Sequence, residues 1–78
     1  MLYTPEIVEE LNVLTRYNLT TTLEGIKVHK NADPGVIAAT LRLFHKGLVT
    51  QEDGGYLTAL GRETAEHAQA ALDILTAA

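Results

Sequence analysis

The stretch Asp33–Thr58, DPGVIAATLRLFHKGLVTQEDGGYLT, decides the fold. Asp33 is an N-cap residue with Pro34 at the first helical position, a strong local signal for a helix start. Ile37, Leu41, Phe44 and Leu48 fall on one stripe flanked by Val36 and Leu43, and Gly47 offers the left-handed conformation that stops a helix. The spacing therefore predicts a helix over about 34–46, with Arg42, His45 and Lys46 in its last turns, where cations suit the dipole. Beyond the stop, Leu48–Gln51 and Tyr56–Thr58 flank Asp53-Gly54-Gly55. Taking Asp53-Gly54 as a two-residue type I′ turn gives a hairpin over about 48–58, pairing Gln51 with Tyr56 and Thr50 with Leu57. Leu48 and Leu57 then share the inner face.

Upstream, Thr4, Pro5 and Glu6 announce a first helix running to about Arg16. Ile7, Leu11 and Leu14, with Val8 beside them, recur at helical spacing, while Glu6, Glu9, Glu10 and Asn12 form an acidic face turned to solvent. Thr21 followed by Glu24 has the form of a capping box for a short helix over about Thr22–Val28. Ile26-Lys27-Val28 also reads as a strand fragment, and Leu23 and Ile26 at i, i+3 favour the helix. Downstream, Thr58 caps a last helix over about 59–75, with Ala65, Ala68, Leu72 and Leu75 as an alanine-rich seam facing the first helix or a second copy of the chain.

Seventy-eight residues without cysteine make one small domain that must fold on one apolar core, with no disulfide and no thiolate metal site. Serine is absent as well, which removes the usual nucleophiles, so an enzyme is not expected. No apolar run has the ~18 residues of a membrane span and no basic segment opens the chain, so a cytoplasmic protein off the membrane is expected. Net charge is −4, unevenly spread: residues 1–15 carry −3, residues 47–78 carry −4, and residues 16–46 carry +3. A local positive face on an acidic protein is therefore expected.

The run Leu41-Arg42-Leu43-Phe44-His45-Lys46-Gly47-Leu48-Val49, its Gly-rich hairpin and Leu57-Thr58-Ala59-Leu60-Gly61-Arg62 resemble the recognition helix, wing and following helix of bacterial winged-helix transcription regulators. Over its full length the chain resembles a short bacterial family of winged-helix proteins to which DNA binding has been assigned by inference from the fold. The matching segments are Gly25-Ile26-Lys27-Val28-His29, Ala32-Asp33-Pro34 and Asp53-Gly54-Gly55-Tyr56-Leu57-Thr58. The resemblance implies a mainly α, α+β winged helix-turn-helix domain of three to four helices with a short β-hairpin wing, regulating transcription by binding double-stranded DNA. It also implies Ile37 and Leu43 in the core, with Val36, Ala38, Ala39 and Arg42 turned towards DNA.

The residues qualify that expectation. A recognition helix usually brings polar side chains to base edges in its first turns, whereas Pro34, Gly35, Val36, Ala38 and Ala39 carry no side-chain donor. Glu52 and Asp53 stand at the wing tip, where they repel phosphates. The candidate nucleic-acid contacts are therefore Lys27, His29, Lys30, Arg42, His45 and Lys46, acting on the DNA backbone. If Lys27, Lys30, Arg42 and Lys46 all met phosphates, log affinity would fall against log salt with a slope of roughly −3.6.

The competing expectation is a protein-interaction module, since the apolar middle helix and the alanine-rich last helix both suit a partner helix or a homodimer. His29, His45 and His67 lie 16 and 22 residues apart without metal-binding spacing. Gly54-Gly55 lacks the lysine and context of a phosphate loop. No cofactor, metal or small-molecule ligand is expected.

Overall fold

A computed structural model describes residues 2–77. The order of elements is α1 (Pro5–Leu14), β1 (Ile26–Lys27), α2 (Pro34–His45), β2 (Val49–Gln51), β3 (Gly54–Leu57) and α3 (Ala59–Thr76). The chain is thus α+β, with three helices and a three-stranded antiparallel sheet in the order β1-β3-β2. Val13, Leu14 and Tyr17, from α1 and the turn after it, meet Ala39 and Leu43 of α2, Val49 of β2 and Ala65 of α3 in one buried cluster.

All three helices begin where cap chemistry places them. The Thr4 side chain accepts from the Ile7 amide, Asp33 from the Gly35 amide and Thr58 from the Gly61 amide, at 3.2, 2.8 and 3.0 Å. Each satisfies a helix donor that has no partner within the helix. Gly47 ends the α2 segment at φ 81°, as a glycine stop should.

The helix expected over Thr22–Val28 does not form. Local side-chain bonds take its place: Asn18 Oδ1 accepts from the Thr20 amide and Thr21 Oγ1 from the Leu23 amide, both at 3.0 Å. The Glu24 carboxylate, which a capping box would turn back to Thr21, instead accepts from Asn18 Nδ2 at 2.9 Å. These bonds offer the backbone an alternative to the helix, and Ile26-Lys27 goes on to pair with Gly55 and Gly54 as β1. A side chain at Gly25 would run into the carbonyl of Gly55, so this glycine lets the two chains approach.

The hairpin register also differs. Glu52-Asp53 is the turn, Gln51 pairs with Gly54 and Val49 with Leu57, so β3 carries one extra residue as a bulge. Gly54 and Gly55 absorb it at φ 120° and 69°. The pairing brings Val49, 2% exposed, to the inner face rather than Leu48, which is half-buried.

The helix faces are rotated from the expected stripes. On α1 the buried residues are Glu10, Val13 and Leu14, while Ile7 and Val8 are exposed. The helix ends at Leu14 rather than Arg16, its last turn tightened by the Arg16 and Tyr17 amides donating to Val13 and Leu14. On α2 the buried residues are Ala39, Thr40 and Leu43, and Leu41 is exposed. Of the expected α3 seam, Ala65 is buried and Ala68 half-buried, whereas Leu72 and Leu75 lie open to solvent.

Candidate functional site

Arg42 and Lys46 stand one helical turn apart on α2 and its C-cap, so their side chains share a face. That face meets α1. Arg42 Nε donates to Glu10 Oε2 at 2.7 Å, and the Lys46 ammonium donates to the other carboxylate oxygen, Oε1. A second Arg42 nitrogen donates to the Glu6 carbonyl at 3.1 Å. Glu10, expected on the solvated face, is 6% exposed and answers both cations. Burial by itself would raise its carboxyl, but the hydrogen bonds and charges of Lys46 and Arg42 outweigh that and hold it below the ordinary 4.5.

The six candidate contacts thus separate into two groups. Arg42 and Lys46 are spent on Glu10. His45 is exposed at the end of α2 with its ring against the edge of Phe44, centroids 5.5 Å apart. Lys27, His29 and Lys30 are exposed on β1 and the turn that follows, and none takes part in an ion pair among the described residues. Of the residues the resemblance would turn to DNA, Ala39 is fully buried and Val36 packs on the core. The open stripe of α2 is instead Pro34, Ala38, Leu41 and His45, apolar apart from the imidazole.

Beside that stripe lies a cleft of about 630 Å³. Val28, Ile37 and Leu41 give it apolar surface, and Thr40, the basic group Lys27, His29 and Lys30, and Glu52 and Asp53 of the hairpin turn complete its lining. Its frame is held by the backbone: the Val28 amide donates to the Asp53 carbonyl at 2.8 Å, and the Ala32 amide to the His29 carbonyl at 3.0 Å. Thr40 is buried yet satisfied, donating to the Val36 carbonyl at 2.8 Å.

The chain belongs to the family of unknown function DUF5669. The family model matches residues 1–76 and so takes in every helix and strand described above. No curated protein and no solved structure matches the chain. Among the described residues no group of three histidine or acidic side chains is placed to hold a metal ion, and no helix is long and apolar enough to cross a membrane.

Two residues that position this site carried weaker signals in the sequence. Glu10 lies on one helical stripe with Val13, Leu14 and Tyr17, and Arg42 and Lys46 at i, i+4 form a pair that one carboxylate can answer; these signals are compatible with Glu10 inside but do not outweigh the Ile7, Leu11, Leu14 stripe. Arg62 donates to the Leu19 and Thr21 carbonyls at 3.0 and 2.7 Å, tying the irregular segment before β1 to the start of α3. An arginine in the first turn of a helix is poorly suited to the dipole, and that was its only mark.

Proposed function

We propose that this domain is a winged-helix variant acting as a protein-interaction module, with the open stripe of α2 and the acidic hairpin tip as its contact face. The winged-helix reading is supported by the helix–hairpin–helix order and by the β1-β3-β2 sheet. It is a variant because residues 15–33 contain β1 and turns but no helix, so α2 has no preceding helix with which to make a helix-turn-helix pair.

The observation that carries the interaction reading is the double ion pair at Glu10. It holds the Arg42 and Lys46 head groups on a carboxylate with which a phosphate would have to compete, beside an apolar stripe on α2 and two acidic residues on an acidic protein. Affinity for DNA comes mainly from phosphate neutralisation, whereas an exposed apolar stripe with a polar rim suits a protein surface.

A second reading, backbone-dominated binding of double-stranded DNA, is favoured by one observation: Lys27, His29 and Lys30 are close in sequence, exposed and free of ion pairs among the described residues. Two lysine–phosphate contacts would give a salt slope of roughly −1.8.

The test joins two measurements. A photo-cross-linking residue at Ala38 should yield a discrete protein adduct in cells that express the chain, and the same residue at Ala70 on α3 should not. Fluorescence anisotropy with labelled duplex DNA should stay flat. Saturable binding with that salt slope, abolished by Lys27→Ala with Lys30→Ala, would install the DNA reading instead.

A further inference from the structure

We propose that the cleft between α2, the β1–α2 turn and the hairpin tip receives an extended peptide segment of a protein partner. The segment carries one large apolar side chain flanked by an acidic residue on one side and a basic residue on the other. The inference rests on the interaction-module reading and names the chemistry of its ligand.

Lys27 and Lys30 line the cleft together with Glu52 and Asp53, and none of the four belongs to an ion pair among the described residues. The four charges cancel, so a purely anionic or purely cationic ligand is attracted by one pair and repelled by the other. A segment carrying both signs is attracted by both. The same balance disfavours duplex DNA, whose phosphates would meet Glu52 and Asp53 at the same opening.

Shape supplies the rest. A space of about 630 Å³ lies within the range of ligand sites and is on the order of 10 Å across, the span of about three extended residues. In an extended chain successive side chains point to opposite faces. When the central side chain enters the cleft against Ile37 and Leu41, its two neighbours point away from the floor, and the exposed side chains of Lys27, Lys30 and Glu52 around the opening are long enough to reach up to them.

The test is a nuclear magnetic resonance titration of the full chain with end-blocked peptides, read at the Val28, Ile37 and Leu41 methyl groups. The peptide cores are Glu-Leu-Lys, Lys-Leu-Glu, Glu-Leu-Glu, Lys-Leu-Lys and Glu-Gly-Lys. One of the two mixed-charge leucine peptides should shift the three methyls saturably, about fivefold tighter than either like-charged peptide, as two exposed ion pairs allow. The glycine peptide should not bind.

Exchanging Lys27→Glu together with Lys30→Glu should move the preference to Lys-Leu-Lys. Both substitutions are at exposed positions, and an unchanged circular dichroism spectrum checks the fold. Absence of saturable shifts, or affinities indifferent to peptide charge, would overturn the proposal. So would shifts of these methyls produced by duplex DNA or by raising the protein concentration alone. If the peptides fail while the Ala38 adduct still forms, the interaction module stands and only the cleft chemistry falls.

Discussion

Arg42 Nε donates to Glu10 Oε2 across 2.7 Å, joining the last turn of α2 to a carboxylate that α1 keeps out of water. The Lys46 ammonium takes the second oxygen. Removing Glu10 would leave two cations facing each other on a partly covered surface. Glu10→Ala should therefore lower stability by about 1–3 kcal/mol, less than the loss of a partner in a fully buried pair, because water reaches both cations. Lys46→Ala should cost only about 0–1 kcal/mol, since its side chain is half exposed. Urea midpoints of the two variants measure the difference.

The same carboxylate makes stability depend on pH. Its folded pKa lies below the ordinary 4.5, so the unfolded chain takes up the proton first as pH falls. The stabilisation is fully present above the unfolded value and is lost as pH drops through the folded one. Unfolding free energy should decline below about pH 4.5, and Glu10→Gln should flatten part of that decline. A urea titration series in acid, run on both proteins, reads it directly.

Tyr17 reports on the core from the other side. Its hydroxyl is buried without a partner among the described residues. Burial, and then the charge of Asp53, push its pKa up to about 12 from the ordinary 10.0. Absorbance titration should show one tyrosine ionising near that value while the chain stays folded. The native state resists this ionisation, so the stability the tyrosine contributes is lost as pH rises from about 10 towards about 12. Tyr17→Phe removes an unpaired polar atom and should be neutral or stabilising by up to about 1 kcal/mol.

What could be read from the sequence was local. Thr4, Asp33 and Thr58 cap their helices through bonds to residues two or three positions on, and Gly47 stops α2 by its own conformation. None of these depends on the rest of the fold. The segment 22–28 failed because Asn18, Thr21 and Glu24 have several short-range partners to choose from, and strand pairing with Gly54 and Gly55 decided among them. The hairpin slipped because Gly54-Gly55 must serve two neighbouring strands.

Of the site, positions were legible and states were not. Lys27, His29 and Lys30 are exposed as expected. Arg42 and Lys46 look like the same kind of residue in sequence, and only the packing of α1 on α2 brings Glu10 between them. Periodicity could not choose the α1 face, because Ile7, Leu11 and Leu14 make as good a stripe as Glu10, Val13, Leu14 and Tyr17.

Gly61 marks the tightest approach of α3 to the chain before β2. A methyl group there would collide with the Leu48 backbone carbonyl, whose oxygen also accepts from the Thr58 amide. Backbone cannot swing aside as a side chain can. Gly61→Ala should cost about 1–3 kcal/mol by overpacking, although alanine is the better helix former, and thermal unfolding should show the loss.

The central claim is that Glu10 keeps Arg42 and Lys46 from acting as a phosphate-binding pair. Duplex-DNA anisotropy at low salt, compared between the wild-type chain and Glu10→Gln, tests it most directly. The account predicts negligible binding by the wild type and measurable, salt-sensitive binding by Glu10→Gln, lost again when Arg42→Ala and Lys46→Ala are added. Saturable wild-type binding that weakens on Arg42→Ala and is unchanged by Glu10→Gln would contradict it.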